Sequence, residues 1–213
     1  MSAACPRPAA TGRYGPDPGE IATGLSGSGG PERLVVVGGG MAAVRLVEEL
    51  RARSWDGSVT VLADEDVPPY NRILLSAVLE GTHAPEALQL RPASWWAGVD
   101  LRLGTRVVEV DRAAREVALA SGERVPYDGL VLATGSIPTL PPVRGLVRPD
   151  GRLHESAHAF RSLADCRRLS DAAAALPAGG RAVVVGGGLL GLQVARALSV
   201  RGVVTEVVEG ADH

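Results

Sequence analysis

Two glycine-rich segments constrain the fold of this chain more than any other feature. The first, residues 38–43, fits the pattern G-x-G-x-x-A, and the second, residues 186–191, fits G-x-G-x-x-G. Each follows a short run of β-branched apolar residues and precedes a stretch with apolar residues at helical spacing. A strand, a tight glycine turn and a helix in this order begin a β-α-β unit. The sequence therefore predicts two Rossmann-like units.

The spacing of the small residues has a chemical reason. The first glycine permits the tight turn, the second lets the backbone approach a pyrophosphate, and the third small residue lets the helix pack on the strand. The free N–H groups at the helix N-terminus then face the phosphates. A glycine turn without a ligand is the alternative interpretation. The candidate dinucleotide contacts in the two segments are Gly38, Gly39, Gly40, Met41, Ala42, Ala43, Gly186, Gly188, Leu190 and Gly191.

Acidic residues follow the second predicted strand of each unit. Asp64 and Glu65 come after the apolar run 59–62, and Glu209 comes after the run 203–208. A carboxylate at this point accepts hydrogen bonds from a ribose diol and repels a 2′-phosphate, so Glu209 favours NADH over NADPH. Solvated loop acids are the alternative for all three positions.

The sequence outside the two glycine-rich units follows other patterns. Residues 1–30 are rich in Pro, Gly, Ser and Ala without periodicity, which predicts a disordered tail whose deletion leaves thermal stability unchanged. Short strand-like pieces at residues 101–103, 107–110 and 117–119 predict an antiparallel β-meander. Residues 129–133 predict a buried strand that shares a parallel sheet with residues 34–37 and 59–62. Residues 163–176 predict a helix.

In their order along the chain, these features resemble the two-dinucleotide-binding-domain flavoproteins of the pyridine nucleotide-disulfide oxidoreductase superfamily. Residues 127–136 (YDGLVLATGS) are similar to the second FAD signature of that family. Residues 68–76 (PPYNRILLS) are similar to a segment of ferredoxin and rubredoxin reductases and of nitrite reductase large subunits. The resemblance implies that the first unit binds FAD and the second binds NAD(P)H.

The resemblance also implies particular FAD contacts. The arginine of the second segment lies by the FAD pyrophosphate in such proteins, which makes Arg72 a candidate for bidentate contacts to phosphate. A surface arginine at a helix start is the alternative. The FAD contacts implied outside the first glycine segment and the two acids are Asn71, Arg72, Val107, Ala133, Thr134 and Gly135.

The fold predicted from these patterns is α/β, a Rossmann-like FAD/NAD(P)-binding fold with a parallel sheet plus an antiparallel β-meander. Its predicted parts are the tail (1–30), an FAD-binding domain (31–145), a connection with a helix (146–178) and the start of an NAD(P)-binding domain (179–213). The second unit has one β-α-β, so we expect it to be incomplete and the chain to be C-terminally truncated. Because a lone buried carboxylate is costly, Glu206 predicts that its strand is exposed or misregistered.

Several residues are not assigned to chemistry. No cysteine pair follows the second predicted strand, and Cys166 is expected to be a small packed residue. Gln193 stands where many relatives have Glu. Trp95 and Trp96 are expected to pack a helix against the sheet. We expect no catalytic acid–base pair or nucleophile, and His83, His154 and His158 lack metal-ligand spacing, so we expect no metal site.

The composition excludes other classes of function. The net charge is -2 with the signs mixed, so we expect no nucleic-acid partner. No apolar stretch approaches the ~20 residues that span a bilayer, and no signal peptide is visible, so we expect a cytoplasmic protein without a membrane partner.

Together these expectations predict an FAD-dependent NAD(P)H oxidoreductase. Electrons would pass from NAD(P)H through FAD to a redox acceptor protein or domain of the iron–sulfur or haem type. The alternative is a truncated, non-catalytic nucleotide-binding fragment, and we expect the isolated chain to be inactive.

Overall fold

The computed structural model describes residues 31–210, so the predicted tail, residues 1–30, lies outside the described part. The strands are β1 (Arg33–Val37), β2 (Ser58–Leu62), β3 (Val99–Arg102), β4 (Val107–Asp111), β5 (Glu116–Leu119), β6 (Arg124–Pro126), β7 (Gly129–Leu132), β8 (Arg181–Val185) and β9 (Val204–Val208). The α-helices are α1 (Met41–Ala52), α2 (Leu75–Glu80), α3 (Leu163–Ala174) and α4 (Leu189–Val200). Short 3-10 turns span Arg72–Leu74, Pro85–Leu88 and Ala93–Trp96.

The main sheet has four parallel strands in the order β3-β2-β1-β7. On one face, Val36 and Val61 of the central strands pack in a core with Val47 of α1. On the other face, Val35 and Leu62 pack against the meander. Burial on both faces explains why β1 and β2 are apolar runs without alternation. The prediction that residues 34–37, 59–62 and 129–133 share one sheet is confirmed.

The predicted meander is partly wrong. Residues 101–103 were expected in it, but Leu101 and Arg102 belong to β3, which pairs in parallel with β2. The antiparallel sheet consists of β4, β5 and β6. A strand of four residues carries too little pattern to show its direction, and its partner is remote in sequence, so local periodicity could not make this distinction.

Strand β7 is less buried than its sequence predicts. Leu132 is 64% exposed, because β7 is an edge strand that pairs with β1 alone in the described part of the chain. The apolar run therefore predicted the strand correctly and its burial wrongly.

A separate core joins the two Rossmann-like units. Leu79 of α2 is fully buried against Ala197 and Leu198 of α4, and Cys166 of α3 completes the cluster. The burial of Cys166 confirms the expectation of a packed residue. The predicted helix at residues 163–176 is confirmed as α3, and it begins with a capping box between Ser162 and Asp165.

The second unit is a two-stranded parallel sheet, β8 and β9, with α4 on one face. The opposite face carries Val183 and Val185, which are 61% and 63% exposed. Glu206 lies on this face and forms an ion pair with Arg181. Of the two alternatives predicted from Glu206, exposure is confirmed, and the strand pairs with β8 in a continuous register.

The tryptophan pair packs as expected. Trp96 is buried in the core beneath α1, and Trp95 meets it edge to face with ring centroids 4.9 Å apart. The guanidinium of Arg51 on α1 lies 4.4 Å from the Trp95 ring centroid, which fixes the helix to this segment. No helix within residues 31–210 is both long and apolar enough to cross a bilayer.

Candidate functional site

The first glycine loop lies at the carboxyl ends of the parallel strands, where open α/β sheets bind ligands. Gly38 has φ +116°, and its N–H donates to the carbonyl oxygen of Leu62 at 2.8 Å. A Cβ on Gly38 would collide with the carbonyl oxygen of Ala133, so this turn and the segment after β7 are in close contact. Gly40 is the N-cap of α1, and a Cβ there would meet no atom within 4 Å. Open space therefore lies before the helix N-terminus.

The second glycine loop repeats this geometry. Gly186 has φ +118°, and its N–H donates to the carbonyl oxygen of Val208 at 2.8 Å. Gly188 is the N-cap of α4 and, like its counterpart, faces open space. A Cβ on Gly191 would collide with the carbonyl oxygen of Gly186, which explains why this position is glycine. Both loops present a helix N-terminus to solvent in the form that suits an anion.

The two units differ at the residue after the second strand. Glu209 directly follows β9, and its Oε2 accepts the N–H of Gly187 at 2.6 Å. Its Oε1 accepts the N–H of Gly210 at 2.7 Å. Ala63 holds the corresponding place after β2. The first glycine of each loop donates its N–H to the last residue of the second strand, Leu62 in the first unit and Val208 in the second, and Ala63 and Glu209 come directly after these residues. The carboxylates of the first unit therefore lie one and two residues further along the chain.

Asp64 is engaged by an arginine that sequence patterns did not single out. Arg106 Nε and Nη2 donate to its two carboxylate oxygens at 2.9 and 2.8 Å. The hydrogen bond from this guanidinium lowers the pKa of Asp64 below its usual value. Both side chains are exposed, so the pair contributes little to stability and remains accessible to a ligand.

Glu65, Tyr70 and Arg72 form a closed network. Arg72 Nη2 pairs with Glu65 Oε1, and Arg72 Nη1 donates to Tyr70 Oη at 2.9 Å. Tyr70 Oη donates to Glu65 Oε2 at 2.7 Å and accepts the N–H of Leu163 at 2.8 Å. Burial and the hydrogen bond to Glu65 raise the pKa of Tyr70. The network joins the end of β2 to the start of α3.

The other predicted contacts lie beside Arg72, in the segment after β7 and in the meander. Asn71 accepts the N–H of Ile73 and caps the 3-10 turn that carries Arg72. Arg161 connects Arg72 to the segment after β7, because its carbonyl oxygen accepts from Arg72 at 3.4 Å and its guanidinium lies near Gly135. Val107 begins β4 and pairs with Leu119 in the meander.

Ser76 and Gln193 link the two units near their glycine loops. Ser76 Oγ lies 3.3 Å from Gln193 Oε1, which joins the first turn of α2 to the second turn of α4. The segment that carries Arg72 is thus held against the helix of the second glycine loop. Sequence reasoning noted Gln193 and gave no sign of its partner, because the two residues are remote in the chain.

The chain is similar to one protein family and to several known proteins. The family model for pyridine nucleotide-disulphide oxidoreductase matches residues 32–213. The NAD(P)H nitrite reductase of Bacillus subtilis strain 168 is 37% identical over 172 residues, which are 79% of this chain and 20% of that protein. The ferredoxin–NAD(+) reductase component of the anthranilate 1,2-dioxygenase system of Burkholderia cepacia is 40% identical over 185 residues, 84% of this chain and 42% of that protein.

One solved structure of a reductase is similar to this chain in fold and in sequence. The covalent complex of putidaredoxin reductase with putidaredoxin contains a chain that matches with a TM-score of 0.73 and 32% identity. The match covers 83% of this chain and 42% of that one. This chain thus spans between a fifth and less than half of the length of these proteins.

Proposed function

Because this chain belongs to the pyridine nucleotide-disulphide oxidoreductase family, we propose that it binds FAD at its first glycine loop and NAD(P)H at its second. The proposed activity is electron transfer from NAD(P)H through FAD to an acceptor. The proposed FAD-binding part is residues 31–145, with a connection at 146–178 and the NAD(P)-binding part from residue 179.

The observation that carries this proposal is the pair of equivalent loops. In each, a positive-φ glycine closes the turn and a second glycine caps a helix with open space before it. A Cβ at Gly40 or Gly188 would project into that space, which is where a pyrophosphate would meet the helix N-terminus. The residues present therefore fit a dinucleotide in both units.

The chain's own groups would bind and orient the cofactors. The N–H groups at the start of α1 and α4 would donate to the pyrophosphates, and Arg72 would add a bidentate contact at the first site. Glu209 would accept from the ribose diol at the second site and repel a 2′-phosphate, which favours NADH. The redox chemistry itself would be supplied by the bound flavin and nicotinamide.

The proposed acceptor is an iron–sulfur or haem-type protein or domain. This proposal is supported by the names of the relatives, which include a ferredoxin reductase component, a nitrite reductase and a reductase solved in complex with putidaredoxin. The proposed location is the cytoplasm, where the free, buried thiol of Cys166 would stay reduced.

The direct test of the first site is a visible spectrum of the purified chain after FAD is added and excess ligand removed. We expect retained flavin absorbance for the native chain and its loss in Gly40→Val, with unchanged circular dichroism. A folded native chain that retains no flavin would refute the proposal.

A second candidate function is nucleotide binding without turnover in this chain. This candidate is favoured by the exposed apolar face of β8 and β9. One face of that two-stranded sheet has no covering layer in the described part of the chain. The two candidates differ in whether NADH reduces the bound flavin.

A further inference from the structure

Arg72 is clamped along one edge of its guanidinium. Glu65 Oε1 accepts from Nη2, and Tyr70 Oη accepts from Nη1. Since these two acceptors are themselves joined by a hydrogen bond of 2.7 Å, they bind the Nη1–Nη2 edge as a unit. The guanidinium carbon also lies 4.8 Å from the Tyr70 ring centroid, which restricts its rotation.

Tyr70 is a rigid part of this clamp. Its hydroxyl donates once, to Glu65, and accepts twice, from Arg72 and from the N–H of Leu163. This is the full hydrogen-bonding capacity of a phenol. The residue is 5% exposed, so no solvent competes for these bonds.

The clamp leaves the other edge of Arg72 open. Within residues 31–210, Nε makes no hydrogen bond, Nη1 also donates to the carbonyl oxygen of Arg161 at 3.4 Å, and Nη2 retains a second N–H. Adjacent Nε–H and Nη2–H donors form the fork that binds an anion in bidentate geometry. With a side-chain exposure of 26%, Arg72 is accessible but not free to move widely.

Glu65 is therefore not placed as a ribose ligand would be. In the second unit, the acid that touches the glycine loop directly follows the strand, and Ala63 holds that place in the first unit. Glu65 lies two residues beyond, and its oxygens bind Tyr70 and Arg72 rather than an N–H of the glycine loop.

We propose that Glu65 is a positioning residue, which with Tyr70 orients Arg72 so that its Nε–Nη2 edge faces the pyrophosphate of FAD. This inference rests on the proposed FAD site. It replaces the ribose contact predicted for Glu65 with an action through Arg72.

A double-mutant cycle on FAD affinity tests this role. We expect Arg72→Ala to weaken FAD binding about 10- to 100-fold, as for loss of a charge-assisted hydrogen bond, and Glu65→Ala to weaken it about 3- to 10-fold. The double variant should bind FAD as Arg72→Ala does, because Glu65 has no role once the guanidinium is gone. Glu65→Gln, which retains an acceptor for Arg72, should recover part of the loss and replaces the Ala variant if that variant does not fold.

The matched control is the pair Glu49 and Arg53, an ion pair near the C-terminal end of α1 and away from its glycine loop. Glu49→Gln and Arg53→Ala should leave FAD affinity unchanged. Additive losses at Glu65 and Arg72 would show that Glu65 touches the ligand itself, and tighter binding in Glu65→Gln would show that it only neutralises Arg72. Either result overturns the inference while the FAD site stands. A native chain that binds no FAD would refute both.

Discussion

At the scale of single residues, the glycines of one loop serve different purposes. Gly38 is required by the backbone, because its φ of +116° and its contact with the Ala133 carbonyl both exclude a side chain. Gly40 has an ordinary φ of -97° and open space before it, so the fold itself would accept a side chain there. The pattern G-x-G thus combines one structural glycine with one that the proposed ligand requires.

This difference predicts that alanine at Gly38 affects mainly stability and alanine at Gly40 mainly FAD binding. We expect Gly38→Ala to lower the free energy of unfolding by at least about 1–3 kcal/mol, the cost of a strained backbone, whether or not ligand is present. Gly40→Ala should change it by less than about 1 kcal/mol and still weaken FAD binding. Urea unfolding and flavin titration measure the two effects, and equal destabilisation by both variants would contradict this division.

Tyr70 predicts how stability responds to alkaline pH. Burial and the hydrogen bond to Glu65 raise its pKa in the folded chain. Above the unfolded value of about 10, the unfolded chain releases the phenolic proton while the folded chain retains it, so stability falls as pH rises. We expect the urea midpoint to decline as the pH rises above about 10, and to decline less steeply in Tyr70→Phe. Buried Cys166, whose pKa burial also raises, acts in the same direction and remains in both proteins.

At the scale of elements, helix starts are specified in two ways. Helices α1 and α4 begin at glycines without a side-chain cap, which leaves their first N–H groups available to the proposed ligands. Helix α3 begins with a reciprocal capping box, in which Ser162 Oγ accepts the N–H of Asp165 at 3.1 Å. Helices α1 and α4 thus face the proposed ligands, whereas the first N–H groups of α3 find their acceptors within the protein.

The cap of α3 can be tested directly. We expect Ser162→Ala to lower the free energy of unfolding by about 1 kcal/mol, since the loss leaves the N–H of Asp165 without its acceptor. Ser199→Ala, at an exposed position within α4, is the control and should be close to neutral. Chemical denaturation of both variants measures the difference, and equal values would show that the cap adds nothing to the stability of the chain.

At the scale of the whole molecule, the two units share a core. Leu75 and Leu79 of the first unit are buried against Val194, Ala197 and Leu198 of the second. The guanidinium of Arg201 adds a polar link, because it donates to the carbonyl oxygen of Leu79 at 2.9 Å. The second glycine loop is therefore held in a fixed place relative to Arg72.

Removal of residues 179–213 should consequently destabilise the first unit. The deletion would expose the apolar face of α2, and each large buried side chain contributes about 1.5–3 kcal/mol when removed from water. We expect a lower melting temperature and binding of a hydrophobic dye. Deletion of residues 1–30, which the sequence predicts to be dispensable, is the control. An unchanged melting temperature after the first deletion would show that the units are independent.

The exposed face of β8 and β9 leads to a prediction about turnover. Hydride transfer requires the nicotinamide to be held about 3–3.5 Å from the flavin, which demands a rigid pocket. The glycine loop and Glu209 would bind a pyrophosphate and a ribose under the proposed function, but a sheet with one uncovered face does not provide that pocket. We expect little bleaching of bound FAD by excess NADH under anaerobic conditions. Rapid bleaching on the timescale of enzyme turnover would show that this chain is a competent reductase.

The sequence by itself determined the local elements. Two glycine patterns between apolar runs predicted both β-α-β units, because the turn and the helix start depend on neighbouring residues. The apolar texture of residues 34–37 and 59–62 predicted central strands for the same reason. Glu206 predicted a strand that is exposed or misregistered, since a lone buried carboxylate is costly.

Only the tertiary structure decided how remote residues meet. Leu101 and Arg102, which were predicted in the meander, pair in the parallel sheet, and β7 lies at the edge of that sheet. The tertiary structure also brought Arg106 to Asp64 and Ser76 to Gln193. Side-chain partners of this kind depend on strand order and on helix packing across the core, and neither leaves a periodic signal in the chain.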